Sequence, residues 1–425
     1  MGSTRHVAVA VSGGVDSAVA ALLMKRRGHR VTGVFMRNWD RADEVAAGPC
    51  SGDRDRDDAR RVCDQLDVPF REVSFVKEYW HDVFSAMLRG YEGGRTPNPD
   101  ILCNRHIKFH HLLQFAMERL GADAVATGHY ARTSLEEEAV LGQTYGAGGD
   151  PPRGVRLLVS ADPVKDQTFF LSQVPARALR HALFPVGGLP KAVVRRVAAQ
   201  AGLNHVLQRR ESVGMCFIGK RKFENFLLEY LEPRPGNFVS MEDGRILGQH
   251  KGAFLLTVGQ RARIGGLRSA WFVVEKNVDT GDVLVAPSND HPALQHSTLS
   301  TGRVHWMWGA PPTELVRSGR MELLARFHHQ MPLRRCSLTL EPDGSAWLAF
   351  AQPVRAPPLG QFAVFYHGDE CLGSGEIVHV GPSVYSLRRG GGDPPQHRDP
   401  PKHWDPSTDT DPTHAQAATL RLGIP

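Results

Sequence analysis

Val7-Ala8-Val9-Ala10-Val11-Ser12-Gly13-Gly14-Val15-Asp16-Ser17 runs from an apolar stretch into a turn of Gly and Ser. Five apolar residues in a row read as a strand buried on both faces. Residues 18–27 are rich in Ala and Leu and read as a helix, closed by Gly28. A small-residue loop between strand and helix suits an anion. The backbone can approach closely, and the helix N-terminus presents unpaired N–H groups to phosphate. A plain strand-to-helix turn uses the same letters. The spacing excludes a Walker A loop and the glycine fingerprint of dinucleotide folds.

Outward from this loop, strand and helix patterns alternate to about residue 130. Residues 31–36 and 68–73 read as strands. So do residues 123–126, which end in Thr127-Gly128-His129-Tyr130. Such alternation implies an α/β fold with a doubly wound parallel sheet, whose ligands sit outside the carboxyl ends of the strands. The 12–17 loop and the 127–130 strand end are therefore expected to face one crevice. His129 there suits a base, a phosphate contact or a structural histidine. Residues 40–58 are polar; Asp53, Asp55, Asp57 and Asp58 lack EF-hand spacing and read as a solvated loop and helix start, with helix continuing over 59–66. Trp80, Phe84, Met87, Leu88 and Tyr91 read as the core face of an amphipathic helix.

Thr96-Pro97-Asn98-Pro99-Asp100-Ile101-Leu102-Cys103-Asn104 combines two backbone-fixing prolines with a carboxylate and a thiol, ahead of a helix expected over 107–120. A thiol near a helix N-terminus tends toward thiolate; a buried small hydrophobe fits equally. Residues 134–153 read as a variable surface loop. Lys165-Asp166-Gln167-Thr168-Phe169-Phe170 sets a charged edge against an aromatic pair, and Pro190 opens a helix to Gln200. Gly214-Met215-Cys216-Phe217-Ile218-Gly219 suits a mobile loop carrying a nucleophilic sulfur, and suits a buried structural cysteine too.

After Tyr230 the texture turns to short strands with turn signals. Residues 1–230 are expected to form an α/β domain and 231–299 a small β-rich domain. Hairpins over 337–350 and 362–380 imply a small β-barrel at 300–389. Residues 390–425, rich in Pro, Gly, Asp and His, read as disordered.

The balance of 51 Lys+Arg against 45 Asp+Glu, net +6, permits a nucleic-acid partner without demanding one. The six cysteines form no C-x-x-C pair, which disfavours a paired-cysteine zinc or iron–sulfur site. They are too sparse for a secreted disulfide scaffold, so a reducing compartment is expected. No apolar run approaches the roughly 18 residues of a membrane span, and Met1 to His6 shows no evident targeting signal.

The 12–17 hexapeptide resembles the PP-loop of the ATP-pyrophosphatase superfamily, which cleaves ATP between its α- and β-phosphates and adenylates a substrate. Asn98-Pro99-Asp100 with Cys103-Asn104, Thr127-Gly128-His129-Tyr130 and the 214–219 segment follow in order. Lys165-Asp166-Gln167 and Gly360-Gln361 fit as well. Together they resemble the tRNA-specific 2-thiouridylases over roughly residues 5–385. The animal mitochondrial branch is the nearest likeness, through Gly94-Arg95-Thr96-Pro97, the run 131–138 and a long tail. The resemblance implies a PP-loop domain of the adenine nucleotide alpha hydrolase type, a small central β-rich domain and a C-terminal β-barrel.

It also implies an ATP- and Mg2+-dependent sulfurtransferase that thiolates C2 of the wobble uridine in tRNA-Lys, tRNA-Glu and tRNA-Gln. Mitochondria are the implied compartment, or the cytoplasm were the source bacterial. By position, Ala10, Val11, Ser12, Gly13, Gly14, Val15, Asp16 and Ser17 would bind the phosphates. Met36 and Gly128 would contact adenine or ribose, and Asp16 would enter the magnesium shell. Asn98, Pro99 and Asp100 would hold the flipped base. His129, Lys165, Asp166, Gln167, Arg326, Phe327 and Gln361 would contact tRNA. Cys216 would carry a persulfide received from a cysteine desulfurase or sulfur-relay protein. Its terminal sulfur would attack C2, or be freed as sulfide when Cys103 attacks the inner sulfur; either route can end in a Cys103–Cys216 disulfide, and Asp100 would serve as general acid/base. Val213 departs from the Ser or Thr common before the Gly-x-Cys, without expected effect.

Two rivals use fewer of these residues. A PP-loop amide-forming ligase explains the 12–17 loop but needs neither Cys103, Cys216 nor the C-terminal β region. A non-catalytic tRNA-binding protein does not account for the intact loop and the Asp100, Cys103 and Cys216 set.

Overall fold

The 7–11 run forms β1 (His6–Ala10) of a five-stranded sheet in the computed structural model, which describes residues 4–39, 51–136, 154–209, 218 and 222–390. β2 (Arg30–Arg37), β3 (Phe70–Ser74) and β4 (Ala124–Ala126) follow. A hairpin, β5 (Arg132–Thr133) with β6 (Leu157–Leu158), leaves the sheet before β7 (Ala182–Leu183) returns to it. The order is β3-β2-β1-β4-β7, every pair parallel. β1 has β2 on one side and β4 on the other, so the winding reverses there. That reversal opens a crevice at the carboxyl ends of β1 and β4.

Alternate side chains of β1 serve two cores. Val7 and Val9 pack with α1 (Val15–Arg26), α2 (Ser51–Gln65) and the helix Lys191–Gln200. Ala8 and Ala10 pack on a helical block over residues 76–120, with Phe84, Met87, Ile107 and Phe109 fully buried. Trp80, Phe84, Met87, Leu88 and Tyr91 do face this core. α2 starts at Ser51, so Asp53, Asp55, Asp57 and Asp58 lie in its first turns rather than in a loop. The helix dipole favours acids there. Residues 40–50, most of the expected 134–153 loop, Cys216 with all but Ile218 of its segment, and the tail after 390 lie outside the described residues.

β8 (Gly236–Ser240), β9 (Ile246–His250), β10 (Phe272–Lys276) and β11 (Val283–Ala286) form a separate sheet ordered β10-β11-β8-β9. Its core is small: Phe238, Ala262, Val273, Val283 and Val285. The remaining strands are β12 (Gln295–Thr301), the short β13 (His305–Trp306), β14 (Arg320–Arg326), β15 (Arg334–Leu340), β16 (Ala346–Arg355), β17 (Phe362–His367) and β18 (Glu370–Val380). β12, β16, β15, β14, β17 and β18 pair in that order, and β12 pairs back onto β18. This is a closed six-stranded barrel, which leaves no free edge among them. β18 also pairs with β6, so the hairpin from the parallel-sheet region is bonded to the barrel wall.

Gly33 on β2 sets how closely α2 can lie on the sheet. A Cβ at this position would collide with Sγ of Cys63. Gly33→Ala should therefore cost about 1–3 kcal/mol of stability by overpacking. The loss should shrink in a Cys63→Ala background; equal losses by urea unfolding in both backgrounds would show that this contact is not the cause.

Candidate active site

The loop after β1 is tied to itself. The Ser12 N–H donates to Ser17 Oγ (3.1 Å), and the Ser17 hydroxyl donates to the Gly14 carbonyl (3.0 Å). Gly13 adopts φ +76°, a conformation that favours glycine. The first-turn N–H groups of α1 have no intrahelical acceptor and are left for an anion. Arg209 braces the loop. It donates to the Gly13 carbonyl (3.4 Å) and pairs with Asp55 (2.6 Å) and Asp58 (3.1 Å). Asp53 and Asp57 pair with Arg56, so all four acids singled out at the start of α2 are engaged in ion pairs rather than simply solvated.

The exit of β4 lies on the first turn of α1. A Cβ on Gly128 would stand 2.6 Å from Ser17 N and 2.7 Å from the Asp16 carbonyl carbon, so this position needs glycine. The 12–17 loop and the 127–130 strand end therefore meet in one crevice. The Tyr130 hydroxyl donates to Asp16 Oδ1 (2.8 Å), and Lys191 Nζ donates to both Asp16 oxygens (2.8 Å each). Gln167 holds Tyr130 by two backbone contacts, 2.8 and 3.0 Å long. Met36, half-buried near the end of β2, packs against the core that contains Ala10.

The orphan N–H groups and the glycine-lined approach fit nucleotide phosphates. Magnesium fits less directly. Both oxygens of Asp16 are engaged by Lys191 and Tyr130, and no group of three His, Cys, Asp or Glu among the described residues is arranged to hold an ion.

Asn98 starts the second wall. Its Oδ1 accepts from the Ile101 N–H (3.2 Å), and Pro99 takes the first helical position. The helix thus begins at Pro99 and not at residue 107, and Cys103 lies inside it. Asp100 and Cys103, three apart, share a face. Winding is of π type over Cys103–His111. Cys103 is buried; Asp100 is exposed, yet the protein packed around its carboxyl pushes it above the usual range, while Lys108 pulls the other way.

Lys108 Nζ stands 3.3 Å from His129 Nε2, and His129 Nδ1 stands 2.8 Å from Thr127 Oγ1. An ammonium only donates, so Nε2 accepts and the proton sits on Nδ1. Burial and Lys108 hold His129 well below its ordinary range, which keeps it neutral. Lys108, Lys191 and Arg209 were not singled out by the sequence patterns; only their proximity in the fold marks them.

The barrel reaches this wall. Asn98 Nδ2 donates to Gln361 Oε1 (3.3 Å), Thr96 N–H to the Leu359 carbonyl (2.7 Å), and Arg95 pairs with Glu376 (3.4 Å). Four side chains expected at tRNA turn inward instead: His129, held between Lys108 and Thr127, and three at the barrel. Asp166 and Arg326, 4% and 8% exposed, bond each other at 2.5 Å, with Thr168 and Tyr366 completing the cluster. Phe327 is buried in the barrel core. Lys165 remains half-exposed. A cavity of about 570 Å3 lined by His6, Lys25, Arg30, Asp67 and Arg71 lies at the opposite ends of the strands, away from this chemistry.

The family described as "tRNA methyl transferase HUP domain" matches residues 5–220. Its companions, "tRNA methyl transferase PRC-barrel domain" and "Aminomethyltransferase beta-barrel domain", match 224–287 and 296–377. The "Mitochondrial tRNA-specific 2-thiouridylase 1" of Gallus gallus is 59% identical over 405 residues, covering 91% of this chain and 94% of its own. That of Homo sapiens is 59% identical over 401 residues, covering 92% and 94%. The tRNA-specific 2-thiouridylase of Geobacillus kaustophilus is 41% identical over 380 residues, covering 88% and 96%.

The chain belongs to the tRNA-specific 2-thiouridylase family. A 2-thiouridylase of this family has a HUP-type PP-loop domain, a PRC-barrel middle domain and a C-terminal β-barrel, the α/β architecture expected from the resemblance. The PP-loop fold implies use of ATP.

Buried histidines give this 2-thiouridylase a pH signature. Burial and Arg105 lower His106 to about 4, and burial lowers His129, His305 and His328. A depressed histidine contributes stability above its unfolded value of about 6.5, and that contribution is lost as pH falls toward the folded value. The urea midpoint should therefore drop between pH 7 and 5, and His106→Gln should flatten the drop. An unchanged slope in that variant would refute the assignment.

Proposed function

We propose that this chain is a mitochondrial tRNA uridine 2-sulfurtransferase. The observation that carries this reading is one crevice bounded by the phosphate loop, the Gly128–His129 strand end and the Asn98-capped helix with Asp100 and Cys103. It occurs in a chain 59% identical to proteins named for this activity. Tolerated next to ATP is a base that has left its stack, since an enzyme acting on a stacked base must flip it out. Asn98, Pro99 and Asp100 would hold that base, the wobble uridine of tRNA-Lys, tRNA-Glu and tRNA-Gln. Lys165, Gln167, His129 and Gln361 lie around the same walls.

The chemistry follows from the leaving group. The C2 oxygen of uracil leaves poorly. Its attack on the α-phosphorus of ATP forms an O–P bond and expels pyrophosphate, after which AMP can leave. A carboxyl pushed up by the protein packed around it exchanges protons closer to neutral pH, which suits Asp100 as general acid/base. A persulfide on Cys216, loaded by a cysteine desulfurase or relay protein, supplies sulfur. The Cys103 thiolate attacks the inner sulfur, closes a Cys103–Cys216 disulfide and releases sulfide. Sulfide adds at C2 and AMP departs. An external thiol then reduces the disulfide. Direct attack by the terminal persulfide sulfur reaches the same products. Magnesium would enter on the nucleotide phosphates. Among the described residues no helix is long and apolar enough to cross a membrane.

The test combines protein, ATP, Mg2+, a persulfide donor and an unmodified tRNA-Lys transcript, with 2-thiouridine read by nucleoside mass spectrometry. Thiouridine should form with AMP and pyrophosphate, and should vanish in Cys103→Ala and Cys216→Ala. ADP as product would overturn the PP-loop chemistry. AMP formed on a small amine without tRNA would move the protein to the ligase class.

A further inference from the structure

The geometry points to Lys108 as a further catalytic residue, whose ammonium holds the phosphate that passes from ATP to the uridine. This rests on the adenylation reading above. Three other cations near the crevice are neutralised by carboxylates: Lys191 by Asp16, Arg209 by Asp55 and Asp58, Arg326 by Asp166. Lys108 is different. Its Nζ contacts a neutral imidazole, and the carboxyl that feels its charge, Asp100, makes no ion pair with it. A half-buried Lys side chain that gives one hydrogen bond to a neutral ring has donors left for another acceptor.

Its position selects the acceptor. His129 follows Gly128, which lies against Ser17 and Asp16 of the phosphate loop. Lys108 also belongs to the helix of Asp100 and Cys103. The π-type winding over Cys103–His111 brings residues five apart closer to one face than an α-helix would. Lys108 therefore stands at the seam between the nucleotide wall and the base wall. Only one group in the reaction crosses that seam. The α-phosphate leaves the ATP side and ends on O2 of the base. As O2 bonds to phosphorus and the bond to the β-phosphate breaks, negative charge builds on the non-bridging oxygens. A fixed cation there stabilises that charge. The electron pair leaves with pyrophosphate, and the N3 proton of the uracil goes to the Asp100 carboxylate.

Two substitutions separate charge from scaffold. Lys108→Gln can still donate to His129 but carries no charge; Lys108→Arg keeps the charge. With the sulfur donor withheld, tRNA-dependent pyrophosphate release is measured in a single turnover, beside the Kd for tRNA and the urea midpoint. Lys108→Gln should slow release about a hundredfold, the scale of losing one oxyanion donor, with the Kd for tRNA within twofold. Lys108→Arg should recover much of the rate. Release at the wild-type rate in Lys108→Gln would overturn the assignment. So would failure of both variants to fold, or a loss confined to tRNA affinity, because Lys108 would then be structural or a binding contact. No tRNA-dependent pyrophosphate from the wild type would instead sink the adenylation reading itself.

Discussion

The close approach of Gly128 to the first turn of α1 is the constraint on which the site depends. The exit of β4 rests on backbone atoms of Asp16 and Ser17, with no room for a side chain. That contact turns two strand ends into one surface. Tyr130 can then reach Asp16, and His129 can reach Lys108 on the neighbouring helix. The cause is topological. β1 sits where the winding reverses, so its loop and that of β4 diverge to opposite faces and leave a crevice between them.

The second wall depends on the barrel. A buried ion pair is costly unless its remaining hydrogen-bonding capacity is met. Here it is met. Asp166 accepts from the Ser160 N–H, Thr168 and Arg326, while Arg326 also reaches Tyr366 and the His329 carbonyl. Such a cluster tolerates one geometry, which makes it a docking key more than a source of net stability. Once docked, the 357–361 loop lies beside Thr96 and Asn98. The helix start at Asn98 is therefore shared between two parts of the chain. A ligase reading that gives the barrel no role leaves these contacts without purpose.

Local patterns carried much of this into view. The β1 run, the small-residue loop and the barrel hairpins are short-range features, each with its own turn chemistry, and all form near the expected residues. Pro97 and Pro99 make Asn98 look like loop; as cap and first helical residue, Asn98 and Pro99 start the helix earlier. Asp166 and Arg326 stand 160 residues apart in sequence, and nothing nearby in either segment shows that they face one another. Their motifs suggest exposed charge, while burial is decided by the partner. Lys108 is hidden in the sequence for a different reason. Its neighbourhood is created by π-type winding, which no periodicity based on 3.6 residues per turn reveals.

The pairing of β6 with β18 bears on how the chain is made. Leu157 and Leu158 leave the ribosome about two hundred residues before their partners Cys371 and Glu370. Until then the hairpin beside the crevice presents an open edge, the kind that invites pairing with other chains. Synthesis at roughly 5–20 residues per second leaves that edge uncovered for many seconds. The catalytic half is thus translated first and completed last, and the growing chain needs shielding over that interval.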